Sequence, residues 1–177
     1  MVETLISSKT RIKLLLKFFL NSNTTAYLRS LGGEFNESTN GIRVELNKFE
    51  KAGFINSFVK GNKKMFTVNT KHPLFKDIHR IIMKMVGLEY VVDYIIQRIG
   101  DLEKVYLVGK LSKGQDSDIV DLVLVGNDIN KTFLIEQIDK VEKKIGKKVR
   151  YVHFRPDEFN IEKIREPESN PLLLWSK

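Results

Sequence analysis

Polar side chains recur along residues 38–48 at a spacing that suits contact with the edges of base pairs. Asn40, Arg43 and Asn47 repeat every three or four positions, so they share one side of a helix. Arginine forms paired hydrogen bonds with guanine, and asparagine forms them with adenine. We therefore predict contacts with bases or nearby phosphates for Ser38, Thr39, Asn40, Arg43 and Asn47, and a phosphate contact for Lys48.

Three more lysines cluster at a turn shortly after this segment. Two β-prone runs flank the residues Lys-Gly-Asn-Lys at 60–63 and predict a β-hairpin. Lys60, Lys63 and Lys64 then lie at its tip, where they suit contact with the phosphates of a nucleic acid. Taken singly, each lysine is also consistent with a solubilising hairpin edge. The charged residues of the preceding helix, taken singly, are equally consistent with ordinary solvated charges.

Two aspartates near the middle of the chain have a spacing that does not suit metal catalysis. Phosphoryl transfer with two metals needs carboxylates that converge on ions roughly 3.5–4 Å apart. Residues two apart on a strand share a face, whereas Asp118 and Asp121 are three apart. In a regular strand their side chains therefore point to opposite faces, and a bulge near Ile119 would be needed to bring them together.

Three helices are predicted before the hairpin, and the third of them carries the polar stripe. The first is capped by Ser8 or Thr10 and ends at 21–23. The second begins at Thr24 or Thr25 and stops at the glycine pair 32–33. The third begins near 37–39 and ends before Gly53. Its predicted buried face, opposite the polar stripe, consists of Ile42, Leu46 and Phe49.

The third helix and its following strand carry a recognisable pattern. Ile42-Arg43, Leu46, Phe49 and Ala52-Gly53-Phe54-Ile55 match "x-V-R-x-x-L-x-x-L-x-x-A-G-hydrophobic". In this respect residues 8–72 resemble ArsR- and MarR-like bacterial regulators. The resemblance implies a winged helix-turn-helix, with the helix from Ser38 in the major groove and the hairpin as the wing.

The distribution of charge agrees with a polyanion-binding N-terminal part. Residues 1–80 contain 14 Lys and Arg against 6 Asp and Glu, while the rest of the chain contains 16 of each. A basic module joined to a neutral one indicates that only the first part binds a polyanion such as double-stranded DNA. The alternative is that the basic surface merely confers solubility.

A helical segment predicted at 73–87 links this module to the rest of the chain. It carries an apolar stripe, and a second apolar helix follows Gly87. These helices either pair with those of a second copy or cover the sheet of the next domain. A homodimer would present two recognition helices about 34 Å apart, which is one turn of DNA.

The segment 88–177 reads as a small α/β domain with a C-terminal tail. Strands are predicted at 105–109, 119–126 and 148–154, with an amphipathic helix at 129–145. The tail ends in the apolar run 172–175, which we expect to dock on a core or on a partner chain. The fold class is therefore α+β: a winged helix-turn-helix (1–72), a linker helix (73–87) and this domain.

The outline of 88–155 resembles the minimal nucleotidyltransferase domain, with damaged motifs. Lys110 replaces the serine of the family's turn, Ile119 stands where the first metal-binding aspartate belongs, and Arg150 stands where the third acid belongs. The resemblance implies a degenerate nucleotide pocket without catalytic residues. Its members are Gly109, Lys110, Ser112, Lys113, Gly114, Asp118, Asp121 and Arg150.

The composition argues against disulfides, metal sites and membrane spans. The chain has no cysteine and three histidines, so we expect no disulfide, metal or cofactor. Lys17 interrupts the apolar run 14–20, which is too short for a membrane span, and a cytoplasmic location follows as an expectation.

We predict a DNA-binding transcriptional regulator whose C-terminal domain serves as scaffold, dimerisation unit or sensor of a nucleotide or other anion. The rivals are an active magnesium-dependent nucleotidyltransferase and an adaptor that uses the winged helix for protein contacts.

Overall fold

The computed structural model describes residues 6–96, 99–165 and 171–177. The fold is α+β, with two sheets, as the sequence predicts. The chain divides into two compact units, Met1–Ile82 and Met83–Lys177, and the division falls inside the predicted linker segment 73–87. The predicted boundaries after residues 72 and 87 stay predictions. None of the helices in the described ranges has the length and apolar character needed to span a bilayer.

The first unit consists of helices packed against a small antiparallel sheet. Its elements are helix α1 (Lys9–Leu15), a π-helical continuation (Leu16–Leu20), strand β1 (Thr25–Tyr27), helix α2 (Leu28–Phe35), helix α3 (Thr39–Lys51), strand β2 (Ile55–Lys60) and strand β3 (Lys63–Val68). The strand order is β1-β3-β2. Helix α4 (Phe75–Met85) follows and crosses the division between the units.

Apolar periodicity and capping explain why these helices form where they do. The Ser8 side chain caps α1 by accepting a hydrogen bond from the Arg11 amide at 3.2 Å. Gly53, with φ of +76°, ends the turn after α3, as predicted. The largest fully buried side chains of this unit are Phe18, Phe19, Leu14, Leu20, Leu31, Ile42, Leu46, Ile55 and Ile82.

The second predicted helix is wrong at both ends. Residues 25–27 form strand β1, because Tyr27 pairs with Met65 at the open edge of the hairpin. Helix α2 then begins at Leu28 and continues through the glycine pair to Phe35. Asn36, in the left-handed conformation with φ of +51°, ends the helix instead. A Cβ on Gly32 would approach Thr39 Cγ2 at 2.9 Å, so this glycine allows close packing rather than a stop.

The predicted hairpin is confirmed. Strands β2 and β3 pair from Ile55 opposite Val68 to Lys60 opposite Lys63, which leaves a two-residue turn at Gly61-Asn62. Gly61 has φ of +61°, a conformation that side-chain-bearing residues rarely adopt. A helix also forms in the predicted segment 73–87 as α4, but the apolar stripe of the segment is incompletely covered, since Leu74 before the helix and Ile81 within it are about half exposed.

The second unit is a four-stranded sheet covered by helices. Its elements are helix α5 (Leu88–Tyr90), a π-helical segment (Val91–Ile95), strand β4 (Gly100–Val108), helix α6 (Gly109–Ser112), strand β5 (Ile119–Ile129), helix α7 (Lys131–Ile145), strand β6 (Lys148–Phe154), a 3₁₀-helix (Ile161–Ile164) and strand β7 (Leu172–Ser176). The strand order is β6-β5-β4-β7, and only the β5–β6 pair among these described strands is parallel.

Several predicted bounds in this unit are corrected. Strand β4 begins at residue 100 rather than 105, and the predicted loop after it opens with the short helix α6. Helix α7 begins two residues later than predicted, because the Asn130 side chain accepts a hydrogen bond from the Phe133 amide at 2.9 Å and caps the helix. The apolar tail docks on its own sheet as β7, where Trp175 pairs with Val105.

Replacing Gly126 with alanine is expected to destabilise the sheet by about 1–3 kcal/mol. An added Cβ would contact the Asp101 carbonyl and lie 2.9 Å from Leu102 Cα, where β4 approaches through a register shift. Urea unfolding followed by circular dichroism measures the loss. The control is Gly33→Ala, whose Cβ meets no atom within 4 Å and which should stabilise α2 by up to about 1 kcal/mol. Equal stability of the two variants would contradict this packing.

Candidate nucleic-acid interface

Helix α3 presents a polar face to solvent because three of its four large apolar residues are turned inward, while Val44 is 46% exposed. Ile42, Leu46 and Phe49 are 0%, 1% and 6% exposed. Arg43 and Asn47 lie on the opposite face and are exposed. The predicted division of the helix into a buried face and a polar stripe is therefore confirmed.

A cleft of about 680 Å³ lies between α3 and the hairpin. The residues that line it come from the start of α2, the exposed face of α3, and the tip and second strand of the hairpin. They are Tyr27, Leu28, Arg29, Thr39, Arg43, Asn47, Asn62, Lys63, Lys64 and Phe66. The structure thus brings side chains 20 or more residues apart in sequence onto a single surface.

The predicted contact residues divide into two groups. Five line the cleft: Thr39, Arg43, Asn47, Lys63 and Lys64. The other four are exposed outside its lining: Ser38, which is the N-terminal cap of α3, and Asn40, Lys48 and Lys60. The DNA-contacting role assigned to all nine stays a prediction.

Sequence reasoning missed Arg29 and Asn62 as members of this surface. Asn62 occupies the hairpin turn itself, where the residue type predicts only a turn. Arg29 reaches the cleft because β1 pairs with β3 and holds the start of α2 against the hairpin. The signal for Arg29 was its place among the basic residues of the first half of the chain, but its position required the tertiary pairing.

The lysines of the hairpin are held in different ways. Lys63 Nζ lies 4.3 Å from the centre of the Tyr27 ring, a cation–π contact that leaves its charge without a carboxylate partner among the described residues. Lys64 instead pairs with Glu50 at 2.9 Å, and Ser57 also donates a hydrogen bond to Glu50. Lys63 is therefore the lysine of this cleft that is more available to a phosphate.

Three acidic residues of the first unit pair with basic residues of α1 and its π-helical continuation. Glu34 pairs with Lys17 at 2.8 Å, and Glu37 pairs with Lys13 at 2.6 Å. The remaining pair of this kind joins Glu45 to Arg11 at 2.9 Å.

Glu45 also accepts a hydrogen bond from Lys48 at 3.1 Å, so Lys48 is partly neutralised. In the described part of the chain, no carboxylate lies within ion-pair distance of Arg29, Arg43 or Lys63. The excess positive charge of this unit is therefore uncompensated at the cleft.

Acid is expected to weaken the first unit through two of these carboxylates. The Arg11 guanidinium holds the pKa of Glu45 below its ordinary value of 4.5, and Lys13, followed by Thr10, does the same to the pKa of Glu37. A lowered folded-state pKa gives stability that is present above 4.5 and is lost as pH falls through the folded value. Unfolding free energies at pH 6 and pH 3.5 should differ less in Glu45→Gln than in the wild type. The control is Glu136→Gln on α7, which should keep the difference of the wild type. If Glu45→Gln also keeps that difference in unfolding free energy, the stabilising role of the Glu45 carboxylate is contradicted.

The predicted nucleotide pocket is assembled only in part. Asp121 and Arg150 are paired across β5 and β6, and Arg150 Nε donates to Asp121 Oδ1 at 2.7 Å. Asp121 raises the pKa of Arg150. Gly109, with φ of +70°, lies so close that a Cβ would contact Asp121 Oδ2 at 2.6 Å. The Ser112 hydroxyl donates to the Gly109 carbonyl at 2.8 Å, which stabilises the turn.

In the described part of the chain, no hydrogen bond or ion pair joins Lys110, Gly114 or Asp118 to the Asp121 carboxylate. Asp118 is exposed just before β5, and its carbonyl accepts a hydrogen bond from the Lys148 amide. Lys110 is exposed, while Lys113 and Gly114 follow in the turn after α6. Across the described ranges, no three His, Asp or Glu side chains are grouped to hold a metal ion. The absence of catalytic residues from this unit stays a prediction.

Comparisons with known proteins identify no family for this chain. No family model matches it, and no curated protein matches it. Among solved structures, reduced HlyU from Vibrio cholerae covers 48% of this chain and 83% of its own, at 12% identity and a TM-score of 0.37. AF1382 from Archaeoglobus fulgidus covers 48% of this chain and 97% of its own, at 18% identity and a TM-score of 0.39. Similarity at this level establishes neither a family nor a function.

Proposed function

We propose that the chain binds double-stranded DNA through the cleft between α3 and the hairpin and acts as a sequence-specific transcriptional regulator. One observation carries the proposal: Arg43, Asn47 and Lys63 line a single exposed cleft, and no described carboxylate pairs with either cation. Arg43 and Asn47 supply hydrogen bonds suited to guanine and adenine edges. Lys63 supplies a charge for the adjacent phosphates.

Selection from a pool of duplexes with a randomised 20-base-pair centre tests this proposal. The full chain should retain duplexes at low salt and enrich a defined motif over successive rounds. An adaptor that binds proteins through the same surface would retain no duplex, and this result would overturn the proposal. Enrichment of a twofold-symmetric motif with half-sites about 10 base pairs apart would support our further expectation of a homodimer.

We infer that the second unit holds Asp121 as a structural partner of Arg150 rather than as a metal ligand. Its carboxylate already accepts a charged hydrogen bond at 2.7 Å. Incubation with magnesium and labelled nucleoside triphosphates should therefore transfer no label to protein or small-molecule acceptors. Transfer that disappears in Asp121→Ala would establish the rival function, a nucleotidyltransferase.

A further inference from the structure

A second cleft lies at the end of the C-terminal sheet that is remote from the Asp121–Arg150 pair. Asp121 is near the beginning of β5, whereas this cleft starts at Asn127, near the end of the same strand. Its volume is about 510 Å³. Its polar lining includes Asn127, Asp128, Lys131, His153, Arg155 and Glu158, together with Asn130, whose side chain caps α7.

The course of the chain explains why a cleft opens here. Strands β5 and β6 are parallel, so their carboxyl ends share one edge of the sheet. After β6, the chain places Phe159 and Ile164 on the face that carries Tyr106, Val123 and Val125. Among the described residues, α7, which follows β5, contributes no side chain to that face. The two connections therefore leave the sheet on opposite sides, and such a switch point is where open α/β sheets bind ligands.

The charged side chains that line this cleft do not form ion pairs with one another. Lys131 and Arg155 are exposed cations, and Asp128 and Glu158 are exposed carboxylates. None of these four takes part in an ion pair with another residue of the ranges 6–96, 99–165 and 171–177. His153 also lines the cleft, and its Nε2 lies 2.8 Å from the Gly126 carbonyl, which orients the imidazole.

We propose that this cleft binds a sugar phosphate. Lys131 and Arg155 would take the phosphate, since arginine donates to two of its oxygens at once. Asp128, Glu158 and Asn127 would accept hydrogen bonds from sugar hydroxyls. Ile129 is the one apolar side chain in the lining, and no aromatic ring except the imidazole is present to stack on a base. The site does not depend on the proposed DNA-binding function.

Titration of the full chain with ribose 5-phosphate, followed by the NMR shifts of backbone amides 127–131, tests this site. We expect saturable shifts, and at least tenfold weaker binding in Arg155→Ala and in Lys131→Ala. The matched control is Lys143→Ala, also on α7 but paired with Asp139, which should bind as the wild type does. Asp128→Asn should weaken the binding of ribose 5-phosphate but not the binding of inorganic phosphate, because the carboxylate contacts the sugar hydroxyls and repels the phosphate.

Three results would overturn the inference. The first is the absence of saturable NMR shifts at amides 127–131 when either probe is added up to about 20 mM, a concentration on the order of the dissociation constant of a weakly bound metabolite. The second is equal weakening in Lys143→Ala and Arg155→Ala, which would indicate non-specific attraction. The third is loss of binding in Arg43→Ala, which would place the phosphate in the cleft of the first unit.

Discussion

Arg43→Ala is expected to reduce the discrimination between an enriched duplex and a random one. An arginine that reads guanine contributes roughly 1–3 kcal/mol of preference, which corresponds to about 5- to 150-fold in affinity ratio. Arg43 is exposed on α3 and lines the cleft with Asn47 and Lys63. Competition binding with both duplexes, measured by fluorescence anisotropy at one fixed salt concentration, gives the ratio.

Two controls separate base reading from general charge. Arg165→Ala removes an exposed arginine of the second unit and should leave the ratio unchanged. Lys63→Ala should weaken both duplexes by a similar factor, since a phosphate contact carries no direct sequence information. If Arg43→Ala discriminates as well as the wild type does, base reading by this residue is refuted.

Lys17→Met is expected to destabilise the first unit by about 3–5 kcal/mol. The side chains of Lys17 and Glu34 are only 9% and 15% exposed, and their charges meet at 2.8 Å. The second carboxylate oxygen of Glu34 is buried, and no described protein group hydrogen-bonds to it. Removing the lysine therefore leaves a buried negative charge without its cation.

The double variant Lys17→Met/Glu34→Leu is the informative comparison. Replacing both charges by apolar side chains should recover most of the lost stability, because the cost arises from the uncompensated charge. Denaturant unfolding of the wild type, both single variants and the double variant gives the coupling energy. The exposed pair Lys143–Asp139, treated in the same way, should show a coupling below about 1 kcal/mol. Additive losses at Lys17 and Glu34 would contradict the account.

Local sequence signals were sufficient for two of the elements that form the cleft, α3 and the hairpin. The period of Ile42, Leu46 and Phe49 predicted α3 and its exposed polar stripe, and the Gly-Asn turn predicted the hairpin. In both, neighbouring residues in sequence determine the structure. The same signals therefore identified Arg43, Asn47 and Lys63 before their common cleft was known.

Features that depend on distant residues could not be predicted in this way. Residues 25–27 became a strand only because β3 offers an unpaired edge, and this pairing is also what brings Arg29 to the cleft. Lys17 interrupts an apolar run, and nothing local indicates that Glu34 lies 2.8 Å away to compensate it. The partner of Asp121 was similarly hidden, because the register of two parallel strands sets it opposite Arg150.

The salt dependence of duplex binding tests the central claim most directly. Phosphate contacts release counterions, so the logarithm of the association constant should fall linearly with the logarithm of salt concentration. The slope should be steep in the wild type and smaller in magnitude by about 1 in Lys63→Ala, with Lys143→Ala unchanged. A cleft that plays no part in binding would give the same slope in Lys63→Ala as in the wild type, and that result would contradict the proposed interface.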